Sequence, residues 1–302
     1  MYAKHVVSLA VLTTLTLACG GPVMAEEADS IEALHGGACP IEPVLISGLR
    51  SPESAYFHAP SRSWFLSMRA GDPQLFQGPG WLTRVDQRGR VLDEVFVDGL
   101  AYPTGVTGTA EHLFVADLDR IRVVDIRRRA IVDEIPVEGA LFINDVELRG
   151  QVLYASDSIR GVVYEIRLGR APEVVASPAF FGPNGLEAWR GKLYVGNTGP
   201  FEDFAVESTL LEYDVTTDVA RALPGVSGKF DGLVAVGRSL WVTDFRGRLL
   251  EVDPATGVRR TVDLSTYGLV ASADLGWDPI CKTFGIPDLF AGQLLLLPKR
   301  SL

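Results

Sequence analysis

The chain has 302 residues, a net formal charge of −10 and a pI near 5.0. An acidic balance of this kind repels a phosphate backbone, which argues against nucleic acid as a partner. The length supports a large buried core as one all-β domain or two smaller domains, and composition alone does not choose between them.

The N-terminus opens with Lys4, an apolar run over residues 6–18 and small residues ahead of Glu26 and Glu27. This layout predicts a secretory signal over 1–25, cut after Ala25, with Val23 and Ala25 at the two selective positions. The run is shorter than the ~20 apolar residues of a spanning helix, and no later stretch is longer. A lipid anchor at Cys19 is the alternative, although Thr16 stands where such sites usually carry Leu. Either reading makes the protein exported: periplasmic or secreted, or held at the membrane as a lipoprotein. Residues 26–43 then form an N-terminal segment ahead of a folded domain over 44–302.

From residue 44 onward the sequence repeats. Glu53 in SPESAYF, Thr104 in YPTGV, Asn144 in FINDV, Asn184 in GPNGL, Asp231 in KFDGL and Asp274 in SADLG fall at one phase, with separations of 51, 40, 40, 47 and 43 residues. The longer first interval contains a Gly- and Pro-rich stretch over residues 71–80. A second row keeps step with the first: Asp117, Asp157, Asn197 and Asp244 each follow 13 residues later, and Asp288 follows Asp274 by 14. Between and after the rows lie short alternating apolar runs bounded by Gly, Asp and Asn, the pattern of antiparallel strands joined by hairpins. Six units of about four strands, at a period of ~40 to 50 residues, predict a six-bladed β-propeller, which closes on itself and leaves no long sheet edge.

A ring must bring its first and last segments together. That expectation pairs Cys39 with Cys281 as a disulfide, the oxidising destination permitting it, and places the segment around residues 44–46 beside 294–297 in the last blade. The second row reads as ordinary turn-formers. The first row is different. If it begins the innermost strands, it gathers carboxylates, carboxamides and one hydroxyl on the central axis, the hard oxygen set of a divalent cation. Glu53, Asn144, Asn184 and Asp231 supply two negative charges and two neutral oxygens, which balances one such ion and leaves coordination positions for water or a substrate carbonyl.

These residues resemble the sugar-lactone lactonases, including gluconolactonases and regucalcin (senescence marker protein), with paraoxonase as a more distant relative. The resemblance spans roughly residues 44–298 and rests most specifically on PES at 52–54, IND at 143–145, PNGL at 183–186 and FDGL at 230–233. It implies a metal ion on Glu53, Asn144, Asn184 and Asp231, with Ca²⁺ expected first and Mg²⁺, Mn²⁺ or Zn²⁺ as alternatives. It also implies Asp231 as the base that activates water. Because a carboxylate bound to a cation is a weakened base, Asp145 and Asp274 are kept as alternatives. Thr104 stands where paraoxonase-like enzymes carry a His, so a His-based mechanism is not expected, and Thr104 is assigned at most a substrate contact. None of the four histidines has metal-ligand spacing, and His58 and His112 read as surface residues. No GxSxG elbow and no Gly-rich phosphate loop followed by Lys is present.

Two functions fit this reading. One is a metal-dependent hydrolase opening a small-molecule lactone or related ester. The other is a non-catalytic exported propeller with a structural ion, binding a protein or carbohydrate partner.

Overall fold

The computed structural model describes residues 39–70, 78–170, 172–175, 179–200, 203 and 205–302. The expected signal segment, Cys19 and residues 71–77 lie outside them. The described residues form six four-stranded antiparallel sheets. The first is β2 (Pro52–His58), β3 (Ser63–Arg69), β4 (Gly80–Asp86) and β5 (Val91–Leu100), which follows the short β1 (Val44–Ser47). The second is β6 (Pro103–Gly108), β7 (His112–Asp117), β8 (Arg120–Asp125) and β9 (Ala130–Pro136). The third is β10 (Ile143–Arg149), β11 (Val152–Asp157), β12 (Val162–Arg167) and β13 (Glu173–Val175). The fourth is β14 (Pro183–Trp189), β15 (Lys192–Asn197), β16 (Ser208–Asp214) and β17 (Val219–Gly228). The fifth is β18 (Phe230–Val236), β19 (Ser239–Asp244), β20 (Arg248–Asp253) and β21 (Gly257–Asp263). The sixth joins β22 (Gly276–Asp278), β23 (Thr283–Asp288) and β24 (Gln293–Pro298) to β1.

The first strand of each sheet touches the first strand of the next, from β2 through β6, β10, β14, β18 and β22 and back to β2. The protein is therefore a six-bladed β-propeller with those strands around the axis. The burial of each strand follows its place in the blade. Middle strands such as β19 are buried along their whole length because neighbouring blades cover both faces, whereas outer strands such as β21 expose most of theirs. The core is divided into layers between blades. Between blades five and six, Trp241, Leu249, Phe284 and Leu295 pack together, with the rings of Trp241 and Phe284 4.9 Å apart. Burial of such side chains contributes ~25 cal/mol per Å² of apolar surface, the main force holding one blade to the next.

Ring closure matches the sequence expectation. Val44, Leu45 and Ile46 pair with Leu296, Leu295 and Leu294, so the N-terminal strand completes the C-terminal blade. Cys39 and Cys281 are bonded, with S–S 2.07 Å, and tie the N-terminal segment to the turn between β22 and β23. A disulfide is consistent with an exported protein. Among the described residues, no helix is long and apolar enough to cross a membrane.

His58 corrects the sequence reading. It is 2% exposed rather than a surface residue, and its ring lies against Phe65. Its Nδ1 accepts from the Ser61 amide at 3.2 Å and its Nε2 lies 3.0 Å from the Thr109 carbonyl, the pattern of a neutral imidazole that donates through Nε2. Burial lowers its pKa accordingly. His112 is half-buried at the start of β7.

The second row does more than turn the chain. Asp117 accepts from the amides of Ala101 and Tyr102, and Asp157 from those of Leu141 and Phe142. Asn197 accepts from Phe181, and Asp288 from Val270 and Ala271. Each of these side chains, at the end of a second strand, holds the loop that delivers the chain into the inner strand of its own blade. The row thus fixes where the first row enters the channel.

Candidate functional site

Five of the six inner strands begin with an irregularity. The pairing of Pro52, Pro103, Ile143, Pro183 and Phe230 with the neighbouring strand is regular, the next two residues fall out of register, and pairing resumes at Ala55, Val106, Val146, Leu186 and Leu233. The first residue of every interruption is Glu53, Thr104, Asn144, Asn184 or Asp231. A bulge re-aims a side chain, and here five of them, all buried, stand at the start of the strands around the axis. The bulge is filled by hydroxyls from the second strands: Ser67 accepts from the Ser54 amide, Ser156 from Asp145 and Thr243 from Gly232.

The next residue of each inner strand lies where blades nearly touch. A Cβ on Gly105 would lie 2.3 Å from Asp145 Oδ1, one on Gly185 1.9 Å from the Asp231 carbonyl, and one on Gly232 2.4 Å from Asp274 Oδ1. These contacts shift Asp274 by one place relative to the sequence reading. Asp145 and Asp274 both pack on the glycine of the preceding blade. Both also accept through Oδ1 from the following amide, at 2.7 Å in each case, and through Oδ2 from the next blade. The last donor is the Leu186 amide for Asp145 and the Ser54 hydroxyl for Asp274. Asp274 is therefore the counterpart of Asp145, and Ala273 takes the first-row place in blade six. In blade six the two rows lie 15 residues apart, from Ala273 to Asp288, rather than 13, which hides this in the sequence.

Glu53, Asn144, Asn184 and Asp231 are all buried. Asn144 donates its amide to Ser158 Oγ at 3.0 Å and Asn184 donates to Thr198 Oγ1 at 3.0 Å. Each hydroxyl in turn donates to a carbonyl of the next blade, Pro183 or Phe230. This relay fixes both carboxamides with the nitrogen committed, so the oxygen is the atom left to act as a ligand. Ser158 and Thr198 were not singled out from the sequence, yet each directly follows a second-row residue, in Asp157-Ser158 and Asn197-Thr198. Thr104 is fully buried and donates its hydroxyl to the Ile143 carbonyl, clamping blade two to blade three.

Glu53 Oε2 and Asp231 Oδ1 are buried and lack a hydrogen-bond partner. An orphaned buried carboxylate oxygen is costly unless something cationic or protic meets it. Without a cation, burial pushes the Glu53 carboxyl up to about 8, against the opposing charge of Arg69 and with help from Asp274. Burial likewise raises Asp231 well above the usual range, with the negative charges of Glu53 and Asp274 adding to it. Two asparagine oxygens and two such carboxylates fit a hard divalent cation in donor type and in charge. Among the described residues no three of the His, Cys, Asp and Glu side chains gather as a metal site, so this set depends on its asparagines.

Below this level the channel holds a cavity of about 230 Å³, lined by Asp145 and Asp274 at its neck and by Tyr56, Glu147 and Glu187 further down. Burial raises Asp274 to about 6 and Glu187 to about 7. Asp145 and Glu147 are also raised by burial, and next by the charges of Asp274 and Glu187 respectively.

No family model and no curated sequence matches the chain. Solved structures do. A gluconolactonase of Xanthomonas campestris superposes with a TM-score of 0.65 at 16% identity, covering 84% of this chain and 89% of that one. A luciferin-regenerating enzyme gives 0.61 at 13% identity, over 84% and 94%. A chain of a nidogen/laminin complex gives 0.60 at 15% identity, over 75% and 84%. At such identities the likeness is one of fold, and a fold of this kind hosts unrelated functions.

Proposed function

We propose that the chain is a metal-dependent hydrolase that opens a lactone or a related ester at the axial site. The observation that carries this reading is the pair of orphaned oxygens, Glu53 Oε2 and Asp231 Oδ1, buried at the level where Asn144 and Asn184 enter the channel. The likeness to a gluconolactonase supports the lactone class.

Glu53, Asn144, Asn184 and Asp231 would hold one divalent cation, Ca²⁺ first, which when bound polarises a carbonyl and stabilises the charge that develops on its oxygen. The remaining steps belong to the chain. Asp231 takes the proton of the attacking water through the oxygen that the cation leaves to it, since both oxygens of Asp145 and Asp274 are held by donors of the protein. Asp145 and Asp274 act as positioning residues that hold neighbouring inner strands together. Thr104, its proton already donated, offers the substrate only its lone pairs.

The test is a panel of lactones and aryl esters with purified protein, with and without Ca²⁺, Mn²⁺ or Zn²⁺. Hydrolysis that depends on the metal used, and falls ~100-fold in Asp231→Asn with the metal saturating, is expected. No hydrolysis across the panel above a metal-only blank would contradict the proposal and favour the binding propeller.

A further inference from the structure

Arg69 ends β3 at the same face of the propeller as the first row, one residue beyond Met68, which pairs with Pro52 beside Glu53. Its guanidinium lies over the ring of Tyr102, 4.4 Å from the centroid, two residues ahead of Thr104. Several half-buried arginines of this acidic chain are paired with carboxylates: Arg84 with Asp93, Arg122 with Asp117, Arg248 with Asp244. Among the described residues Arg69 has no such carboxylate partner within ion-pair distance. Stacking on Tyr102 occupies the face of the guanidinium, while its N–H donors lie in the plane and stay available for two parallel hydrogen bonds. Arg69 also borders a cleft of about 370 Å³ with Arg50, Ser51 and Phe290. Pro52 and Tyr102, which flank it, lie one residue before Glu53 and two before Thr104, so the guanidinium stands near the mouth of the axial site.

We propose that Arg69 receives a carboxylate of the substrate at this mouth, so that the lactone or ester opened at the axis is also an acid. This rests on the hydrolase reading above. Two carboxylates and one divalent cation leave the axial set electrically neutral, and Arg69 then supplies the excess positive charge that an anionic substrate needs. Arg69 is a binding residue here, and the reacting carbonyl belongs to the axial set.

The test compares 5-oxotetrahydrofuran-2-carboxylate with its primary amide, in wild type, Arg69→Gln and Arg50→Gln, at saturating Ca²⁺. The ratio of kcat/KM for acid over amide is expected to fall about tenfold or more in Arg69→Gln, the worth of hydrogen bonds to a charged group, and much less in Arg50→Gln. An unchanged ratio in Arg69→Gln overturns the proposal. So does an equal fall in both variants, which would report a diffuse field rather than a contact. Calorimetric titration with 2-hydroxyglutarate, the ring-opened acid, gives a readout independent of turnover, with about tenfold weaker binding expected in Arg69→Gln. If wild type opens neither lactone, the hydrolase reading is decided by the wider panel above. The titration then decides the carboxylate site alone, and equal affinity in wild type and Arg69→Gln overturns it.

Discussion

Glu147 and Glu187 show how far the channel departs from an ordinary acidic surface. They lie two residues below Asp145 and three below Asn184 on their strands, facing the lower cavity. Burial is the main cause that raises both, and the charge of Glu187 adds to it at Glu147. Glu187 rises from 4.5 to about 7, so between those values the folded chain keeps a proton that the unfolded chain releases. Stability is then full below about pH 4.5 and is lost as pH rises through 7. The melting temperature of chelated protein should fall between pH 5 and pH 8, and Glu187→Gln should flatten that slope and raise the value at pH 8. A gain of ~1 kcal/mol would appear as about 2 °C. Parallel curves for wild type and variant would mean that Glu187 is solvated and ionised in the folded state.

At the scale of strands, the site depends on how closely inner strands approach one another. A Cβ at Gly185 would lie 1.9 Å from the Asp231 carbonyl, closer than any real contact, so Gly185→Ala must push β14 away from β18. The expected cost is ~1–3 kcal/mol of stability, with a loss of metal affinity because Asn184 and Asp231 move apart. Thermal melts with and without Ca²⁺ read both effects, and an unchanged Ca²⁺ shift would contradict the coupling. The repeat made most of this legible beforehand. The five bulged positions stood out because all carry oxygen-bearing polar side chains, four of them are followed 13 residues later by a second-row Asp or Asn, and the strands between them showed plain alternation. Asp274 was misplaced because the interval into the sixth blade is irregular and a single Asp looks the same at either position. His58 was misread because a residue beside a turn is usually exposed, and nothing in the sequence shows that its ring folds under Phe65. The relay through Ser158 and Thr198 escaped because a hydroxyl after an Asp or Asn is common in turns.

For the molecule as a whole, the ring is closed twice, by β1 in the sixth blade and by the Cys39–Cys281 bond across 242 residues. Cross-linking so long a loop removes entropy from the unfolded chain worth about 5 kcal/mol on the chain-entropy estimate. Cys39→Ser should lower the melting temperature by about 10 °C without changing the sheets, since β1 still pairs with β24, and circular dichroism melts check this. An unchanged melting temperature would mean that β1 alone fastens the ring. The proposed function requires the closed ring to bring four side chains to one cation. Calorimetric titration of chelated wild type with Ca²⁺ tests that most directly: one site is predicted, abolished in Asp231→Ala and weakened in Asn184→Ala. Equal uptake of Ca²⁺ with equal affinity by all three proteins would contradict it.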